Sequence, residues 1–494
     1  MAWTLEIIHF DVGQGDATLI TAQMQDEENN DDVAPQSRAI LVDGGLVGAG
    51  NALHTYLQAR ANRDASTVDI IVCTHYDQDH VNGLTTMLNK DSDIYDGVII
   101  YDQGDPRAFG IENRYRPPAS AKAYVFQPQV SDHYKYYSNA IDNRGTCHRI
   151  TKDVLSLPYE HHDRVNNVKP ADWLLGKEIM WRGTDGAVTT PAALLGQGAN
   201  VNTNPPTVTV VGVNGYLLGD ANRQDRTNTH DADRIRNQRS VALLVEFGNF
   251  KYYVGGDLET DQENYLQTHL NPNSSFATGV SVFKCSHHGS NHSTSSGFLQ
   301  QIKAEAAIIS NGFNRVFGAG GPHPDPQVLN RLQNDASLVR YFMTNDRTPA
   351  QWDQRVGNHY DDPNTPNTAG DIAVAYSDKA VVAGWRLNAP YPIDDPPPNP
   401  RHIDASRNEH KGNILLYVTQ KWAESDRSNT VPMDADSDDS SDDDDMDGND
   451  NGLPQQEESD EEVVKRFQLA CKIADAVQAV TRTEHFFNFV THIQ

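Results

Sequence analysis

The feature that most constrains this chain is a strand pattern that ends in a dense polar cluster. Val68-Asp69-Ile70-Ile71-Val72-Cys73 is a β-branched apolar run and reads as a buried strand. It passes directly into Thr74-His75-Tyr76-Asp77-Gln78-Asp79-His80. Two histidines and two aspartates within six residues are costly to bury unless something positive sits among them. Imidazole with carboxylate suits Zn, Mn or Fe. His75, Asp77 and Asp79 alternate and can point one way from an extended segment, with His80 joining them at the turn. A solvated polar loop is the weaker reading, because four ligand-type side chains directly follow a buried strand.

The same grammar recurs along the chain. Leu5 to Phe10 and Thr18 to Ala22 read as strands around the tight turn Gly13-Gln14-Gly15-Asp16, and Ala39 to Val42 delivers Asp43-Gly44-Gly45. Val241 to Phe247 and Lys251 to Val254 read as a hairpin turned at Gly248-Asn249, which delivers Gly255-Gly256-Asp257. Val280 to Ser286 leads into His287-His288-Gly289-Ser290, and Ala306 to Ser310 into Asn311. Helical stretches separate these strands (51–60, the segment from His80, and 261–270), so the pattern predicts an α/β layered protein. Several strands then present polar side chains at their carboxyl ends, where such sheets place their sites. The ligand candidates are His75, Asp77, Asp79, His80, Asp257 and His287, with Asp257 placed to bridge. Two ions about 3.5–4 Å apart would activate a water and clamp a phosphoryl or acyl oxygen. Cys285 reads as core rather than nucleophile, and Ser290 as part of a ligand turn.

Length and charge bound the alternatives. With 494 residues there is room for one large decorated domain or two to three smaller ones, and a net charge of −28 argues against a nucleic-acid coat over the whole surface. Fifteen acidic residues lie between Asp434 and Glu462 without a Lys or Arg, which predicts a disordered acidic segment over 433–462. Apolar residues from Val463 to Val480 follow helical spacing, which suggests an amphipathic C-terminal helix (463–494) able to dock on a protein partner. The body is read as 1–387, with an aromatic-rich inserted lobe or lid over 101–206. A Pro-rich linker with a possible extra strand covers 388–432. Arg223, Arg226, Arg234, Arg236 and Arg239 are candidates for phosphate contact, with solvent-facing side chains as the commoner use. Four dispersed cysteines, no signal-like N-terminus and no long apolar run lead to the expectation of a cytoplasmic protein without a membrane span.

These motifs carry a family resemblance. His75-Tyr76-Asp77-Gln78-Asp79-His80 resembles the HxDxDH variant of the metallo-β-lactamase-fold motif. Phe10-Asp11-Val12-Gly13-Gln14-Gly15-Asp16-Ala17, Leu41 to Gly45, Asn237…Ser240, Gly255-Gly256-Asp257, Lys284…Ser290 and Ser310-Asn311…His323-Pro324 are similar, in order, to the soluble hydrolase domain of ComEC-type DNA-uptake proteins. The resemblance covers about 1–100 and 200–385. It implies an αββα sandwich and one or two divalent ions, Zn or Mn. By carry-over His75 and Asp77 bind one ion, Asp79, His80 and His287 the other, and Asp257 bridges. Asp43 orients a ligand, Gln14 and Asp16 line the cleft, and Asn237 and Ser240 stand close by. His288 and His323 bind substrate or protonate the leaving group, with Asp79 in the catalytic set.

One departure is notable. Many relatives outside this branch carry a further histidine before the bridging aspartate. Here the candidates are His148, His161, His162 and His230, or Asn237 in its stead, so one metal position is expected to be weak or Mn-like. The activity implied is phosphodiester hydrolysis on nucleic acid. Its rivals are a small-molecule hydrolase (cyclic-nucleotide or headgroup phosphodiesterase, lactonase) and a partner-activated or non-catalytic subunit.

Overall fold

Alternation of apolar residues along the strands decides the architecture. The computed structural model describes residues 2–25, 36–61, 68–104, 132–150, 174–194 (except 185, 186 and 188), 204–271 (except 223, 230 and 231), 279–311, 323–344 (except 339), 382–385 and 414–419. Its strands are β1 (Ala2–His9), β2 (Thr18–Gln25), β3 (Gln36–Val42), β4 (Ile70–Val72), β5 (Ile99–Tyr101), β6 (His148–Arg149), β7 (Thr207–Val213) and β8 (Tyr216–Leu217). They continue with β9 (Ala242–Phe247), β10 (Phe250–Val254), β11 (Val282–Lys284), β12 (Ala306–Ile309), β13 (Arg340–Met343), β14 (Val382–Trp385) and β15 (Ile414–Thr419). Two sheets result, ordered β14-β15-β1-β2-β3-β4-β5-β6 and β13-β12-β11-β10-β9-β7-β8.

Trp3, Leu5 and Ile7 of β1, Ile20 of β2, Ile40 and Val42 of β3 and Val72 of β4 share one core with Val208, Val210, Leu243, Val245, Tyr252 and Val282 of the second sheet. Residues offset by one (Ile8, Leu19, Leu41, Ile71, Ile100) belong to a second core with Leu53, Leu57, Leu84 and Met87 of the helices Val47–Ala61 and Gln78–Leu88. On the other side, Leu266, Phe298, Leu299, Val328 and Leu332 bring the helices Thr260–Leu270, Ser296–Ile302 and Pro326–Gln333 onto the second sheet. The order is helix, sheet, sheet, helix, the sandwich that the family resemblance implies. Burying each such side chain stabilises by about 1.5–3 kcal/mol, and a one-residue slip in β1 would exchange its two faces.

Two stretches join these layers in ways the pattern along the chain did not indicate. The described parts of 101–206 pack into the sandwich itself. β6 pairs with β5, and Tyr134 and Tyr137 of the helix Asp132–Arg144 enter the outer core beside Tyr76. Ile179, Met180 and Trp181 enter the core between the sheets, where Trp181 meets Trp3 edge-on at 5.3 Å. The buried Arg38 guanidinium donates to the carbonyls of Met180 and Arg182 and so ties β3 to this segment. The apolar area of these aromatics finds more cover in the main core than a separate lobe would offer. β15 pairs antiparallel with β1 along Thr4–His9 and carries Leu416 and Val418 into the core, so the first sheet extends beyond residue 387. The acidic segment, the C-terminal helix, Arg223, His161, His162 and His230 lie outside the described residues.

Candidate metal centre

Parallel strands give the site its position. β3 runs parallel to β4 in the first sheet, and β10, β11 and β12 run parallel to one another in the second, so their carboxyl ends gather at one rim. From that rim come Asp43 after β3, His75 to His80 after β4, Asp257 after β10 and His287-His288 after β11. Backbone bonds lock the pieces together: Asp16 N donates to Asp79 O (3.1 Å), Gly44 N to His80 O (2.8 Å) and His287 N to Gly256 O (3.0 Å). Gly83 is obligatory in this packing, because a Cβ there would run into the Gly44 carbonyl. Asp43, His287 and His288 hold left-handed backbone (φ of 59°, 52° and 53°), a strained conformation for side chains of this size.

The imidazoles and carboxylates converge on a small volume. His80 Nε2 lies 3.2 Å from His288 Nε2 and 3.3 Å from Asp257 Oδ1. His288 Nε2 lies 3.4 Å from Asp79 Oδ2 and 3.6 Å from Asp257 Oδ2. Asp257 Oδ2 is also 3.7 Å from both His75 Nε2 and His287 Nε2. Asp16, His80, Asp257 and His288, all buried, each offer one ligand atom within 4.8 Å of the others. Two donors at about 2.0–2.1 Å from one tetrahedral zinc lie about 3.3 Å apart, which is the spacing of the two histidine nitrogens.

The donor set fits a cation on a second ground. His75 Nε2, Asp257 Oδ1 and Asp16 Oδ1 are buried without a hydrogen-bond partner, a costly arrangement unless a cation completes it. The opposite nitrogens are fixed. His80 Nδ1 meets Asp43 Oδ2 at 2.8 Å, and His288 Nδ1 meets the Ser310 carbonyl at 2.9 Å, which turns each Nε2 inward. Asp43 is itself held by the amide (2.8 Å) and hydroxyl (2.7 Å) of Thr74. His75 Nδ1 is approached by Thr74 Oγ1 at 3.1 Å and Ser240 Oγ at 3.4 Å, and that same Ser240 oxygen accepts from Asp257 N.

Charge reinforces geometry. Burial alone lowers the His80 imidazole, yet Asp257 and Asp43 outweigh it and hold it well above its ordinary value. Burial raises the Asp257 carboxyl, yet His80, His288, His287 and His75 together hold it well below its ordinary range. The junction of these side chains therefore favours positive charge. His75 is driven well down by burial and by His80, so it stays a neutral donor. His323 lies at the rim, 5.2 Å from His287 between ring centroids, and burial and His287 press it down to about 3, so it is neutral at pH 7.

The remaining expected site residues divide. Gln14 is buried in the loop that carries Asp16, and Asn237 is buried at the end of the helix Ala232–Gln238, where its carbonyl accepts from Ser240 N. Arg236, from the same helix, places its guanidinium on Asp77. Arg234 pairs with both oxygens of Glu259 (2.8 and 2.6 Å), Arg239 with Asp225 (3.2 Å) and Arg226 with Asp220. Only Arg236 of the described arginines in this stretch touches a carboxylate of the cluster. His148 sits in β6 on the edge of the first sheet.

Lys284 and His9 are the residues that reading the sequence did not place in the site. Lys284 is fully buried, bonds Asp16, donates to the Gly256 carbonyl (3.2 Å) and lies 3.9 Å from Asp257. Its signal was a lysine inside the apolar run Val282–Cys285. His9, buried between Thr18 Oγ1 (3.1 Å) and Tyr252 OH (2.9 Å), is kept neutral chiefly by burial.

Comparison with known proteins gives partial likenesses. No family model matches the chain. ComE operon protein 3 of Bacillus subtilis (strain 168) is 33% identical over 122 residues, which make up 25% of this chain and 15% of that protein. The chain thus spans a small part of the relative's length. The crystal structure of Zn(2+)-bound PqqB from Methylobacterium extorquens overlaps 53% of this chain and 58% of that one, at 13% identity and a TM-score of 0.23. At that score the likeness carries no argument.

Proposed function

We propose that this chain is a metal-dependent hydrolase of phosphodiesters, with nucleic acid as its substrate class. The observation that carries the reading is the convergence of His80, His288, Asp257 and Asp16 with buried donor atoms that have no hydrogen-bond partner. The HxDxDH resemblance and the local identity to ComE operon protein 3 support a hydrolase of the metallo-β-lactamase kind. A divalent ion held by these residues would supply Lewis acidity at the phosphoryl oxygen and would acidify water. The protein's part is preorganisation. Asp43 and the Ser310 carbonyl hold Nδ1 of His80 and His288, so that both rings turn Nε2 toward the place an ion would take. Arg236, 30% exposed, lies at the open side of the cluster, where an anionic oxygen of a substrate can reach its guanidinium. His323, neutral at the rim, acts as an acceptor rather than as a standing acid.

One observation favours a second reading, a small phosphodiester. Arg226, Arg234 and Arg239 are engaged by internal carboxylates, which reduces the cationic surface beside the centre. Incubating the protein and Mn or Zn with single- and double-stranded DNA, RNA and a small chromogenic phosphodiester separates the two. Cleavage of a polynucleotide at rates above those for the small diester supports the first reading. Turnover of the small diester alone moves the assignment to the second.

A further inference from the structure

The two halves of the cluster are unequal. On one side stand His80, His287, His288, Asp79 and Asp257, and among the described residues no arginine or lysine pairs with Asp79. On the other side stand His75 and Asp77, with Asp257 shared: His75 Nε2 is 3.9 Å from Asp77 Oδ2 and 3.7 Å from Asp257 Oδ2. That second side already holds a cation. The Arg236 guanidinium bonds Asp77 Oδ1, and the contact joins segments 159 positions apart.

This ion pair is built rather than incidental. Asp77 occupies the N-cap position of the helix Gln78–Leu88, where an aspartate normally accepts from the helix amides, yet it makes no such bond. A side-chain cap contributes about 1 kcal/mol, so the pairing with Arg236 displaces a favourable alternative. Arg236 is anchored from behind, since its carbonyl accepts from the buried Gln103 side chain (3.2 Å) and from Arg239 N (3.2 Å). The Gln103 carbonyl in turn accepts from Asn214 Nδ2 at 3.0 Å.

A divalent ion among His75, Asp77 and Asp257 would gain one neutral imidazole and a carboxylate whose charge a guanidinium already offsets. It would also sit beside that guanidinium, and like charges in a largely buried site repel strongly. The His80 side offers three imidazoles against one, and the cation nearest to it, Lys284, is paired with Asp16 rather than with Asp79.

From this asymmetry we propose that the centre holds a single divalent ion on the His80–His288 side, and that Arg236 takes the place of a second ion on the His75–Asp77 side. The inference rests on the metal-dependent reading above and fixes its stoichiometry. Arg236 is a positioning residue in this arrangement: it holds Asp77 and keeps the second side closed to metal.

Metal-stripped full-length protein titrated with Mn, then read by elemental analysis and electron paramagnetic resonance, tests it. The native chain should bind one Mn per chain and give the six-line spectrum of an isolated ion. Arg236→Ala should bind two and give the signal of an exchange-coupled pair. Arg236→Lys, which keeps the charge, should stay at one and serves as the folded control. Two coupled ions in the native chain, or one ion in R236A that folds like R236K, would overturn the single-ion proposal while leaving the metal centre intact. No bound ion in the native chain would overturn the metal-dependent reading itself.

Discussion

Lys284 places its ammonium on the carboxylate of Asp16, two buried side chains 268 positions apart in the sequence. The pair joins the loop after β1 to the end of β11, and with the Gly256 carbonyl it fastens both sheets beneath the cluster. Lys284 stays charged although burial opposes it, because Asp16 and Asp257 outweigh that cost. Removing one partner of such a pair leaves an uncompensated buried charge, at a cost of about 3–5 kcal/mol. Lys284→Met should therefore lower stability by about that amount in urea unfolding, and Asp16→Asn added to it should recover part of the loss. An unchanged midpoint for K284M would contradict the structural role given to this pair.

On the metal-dependent reading proposed above, Asp43 would act on metal affinity through His80 rather than by touching the ion. It accepts from Thr74 twice and meets His80 Nδ1 at 2.8 Å. Losing such an outer partner weakens metal binding by about 10–100-fold. Asp43→Asn should show that weakening in a Zn or Mn titration with the folded signal retained, and an unchanged affinity would show that His80 needs no such orientation.

Glu263 sets a pH dependence of stability away from the ligands. Burial pushes its carboxyl from 4.5 up to about 7, even though Thr294 N donates to it at 2.6 Å. A folded pKa above the unfolded one means that the folded state retains a proton the unfolded chain releases. The stabilising contribution is full below about pH 4.5, is lost as pH rises through 7, and amounts to about 3 kcal/mol. Glu263→Gln should match the native chain at pH 5 and exceed its stability at pH 8 by roughly 1–3 kcal/mol. Equal gaps at both pH values in denaturant titrations would contradict the burial argument.

The first sheet needs its late strand. β1 lies between β2 and β15, and Leu416 and Val418 fill the core beside it. A chain ending near residue 388 leaves β1 as a bare, apolar sheet edge, which invites aggregation. Such a truncation should elute as aggregate on size exclusion, whereas one ending near residue 432 should elute as the folded protein. A monomeric, cooperatively unfolding 1–388 fragment would show that β15 is dispensable.

Local pattern made much of this legible. β4 with its polar terminus, the β9–β10 hairpin and Asp257 follow from period-two alternation and turn residues, because a strand end fixes where the next side chains emerge. Long-range pairings do not follow from that rule. Lys284 with Asp16 and Arg236 with Asp77 need the two sheets to be docked before their partners become neighbours. Tyr134, Tyr137 and Trp181 could have formed a small core of their own, and only the room beside Tyr76 and Trp3 decides that they join the main one. The stretch at His75–His80 is half a centre, completed from β10 and β11.

The most direct test is the hydrolysis rate of bis(p-nitrophenyl) phosphate by chelator-stripped protein before and after Mn is restored. The structure predicts loss of turnover on stripping and its return with Mn in the native chain, but not in Asp257→Asn. Turnover that survives stripping, or that Mn restores equally in D257N, would contradict a metal-dependent centre built on Asp257.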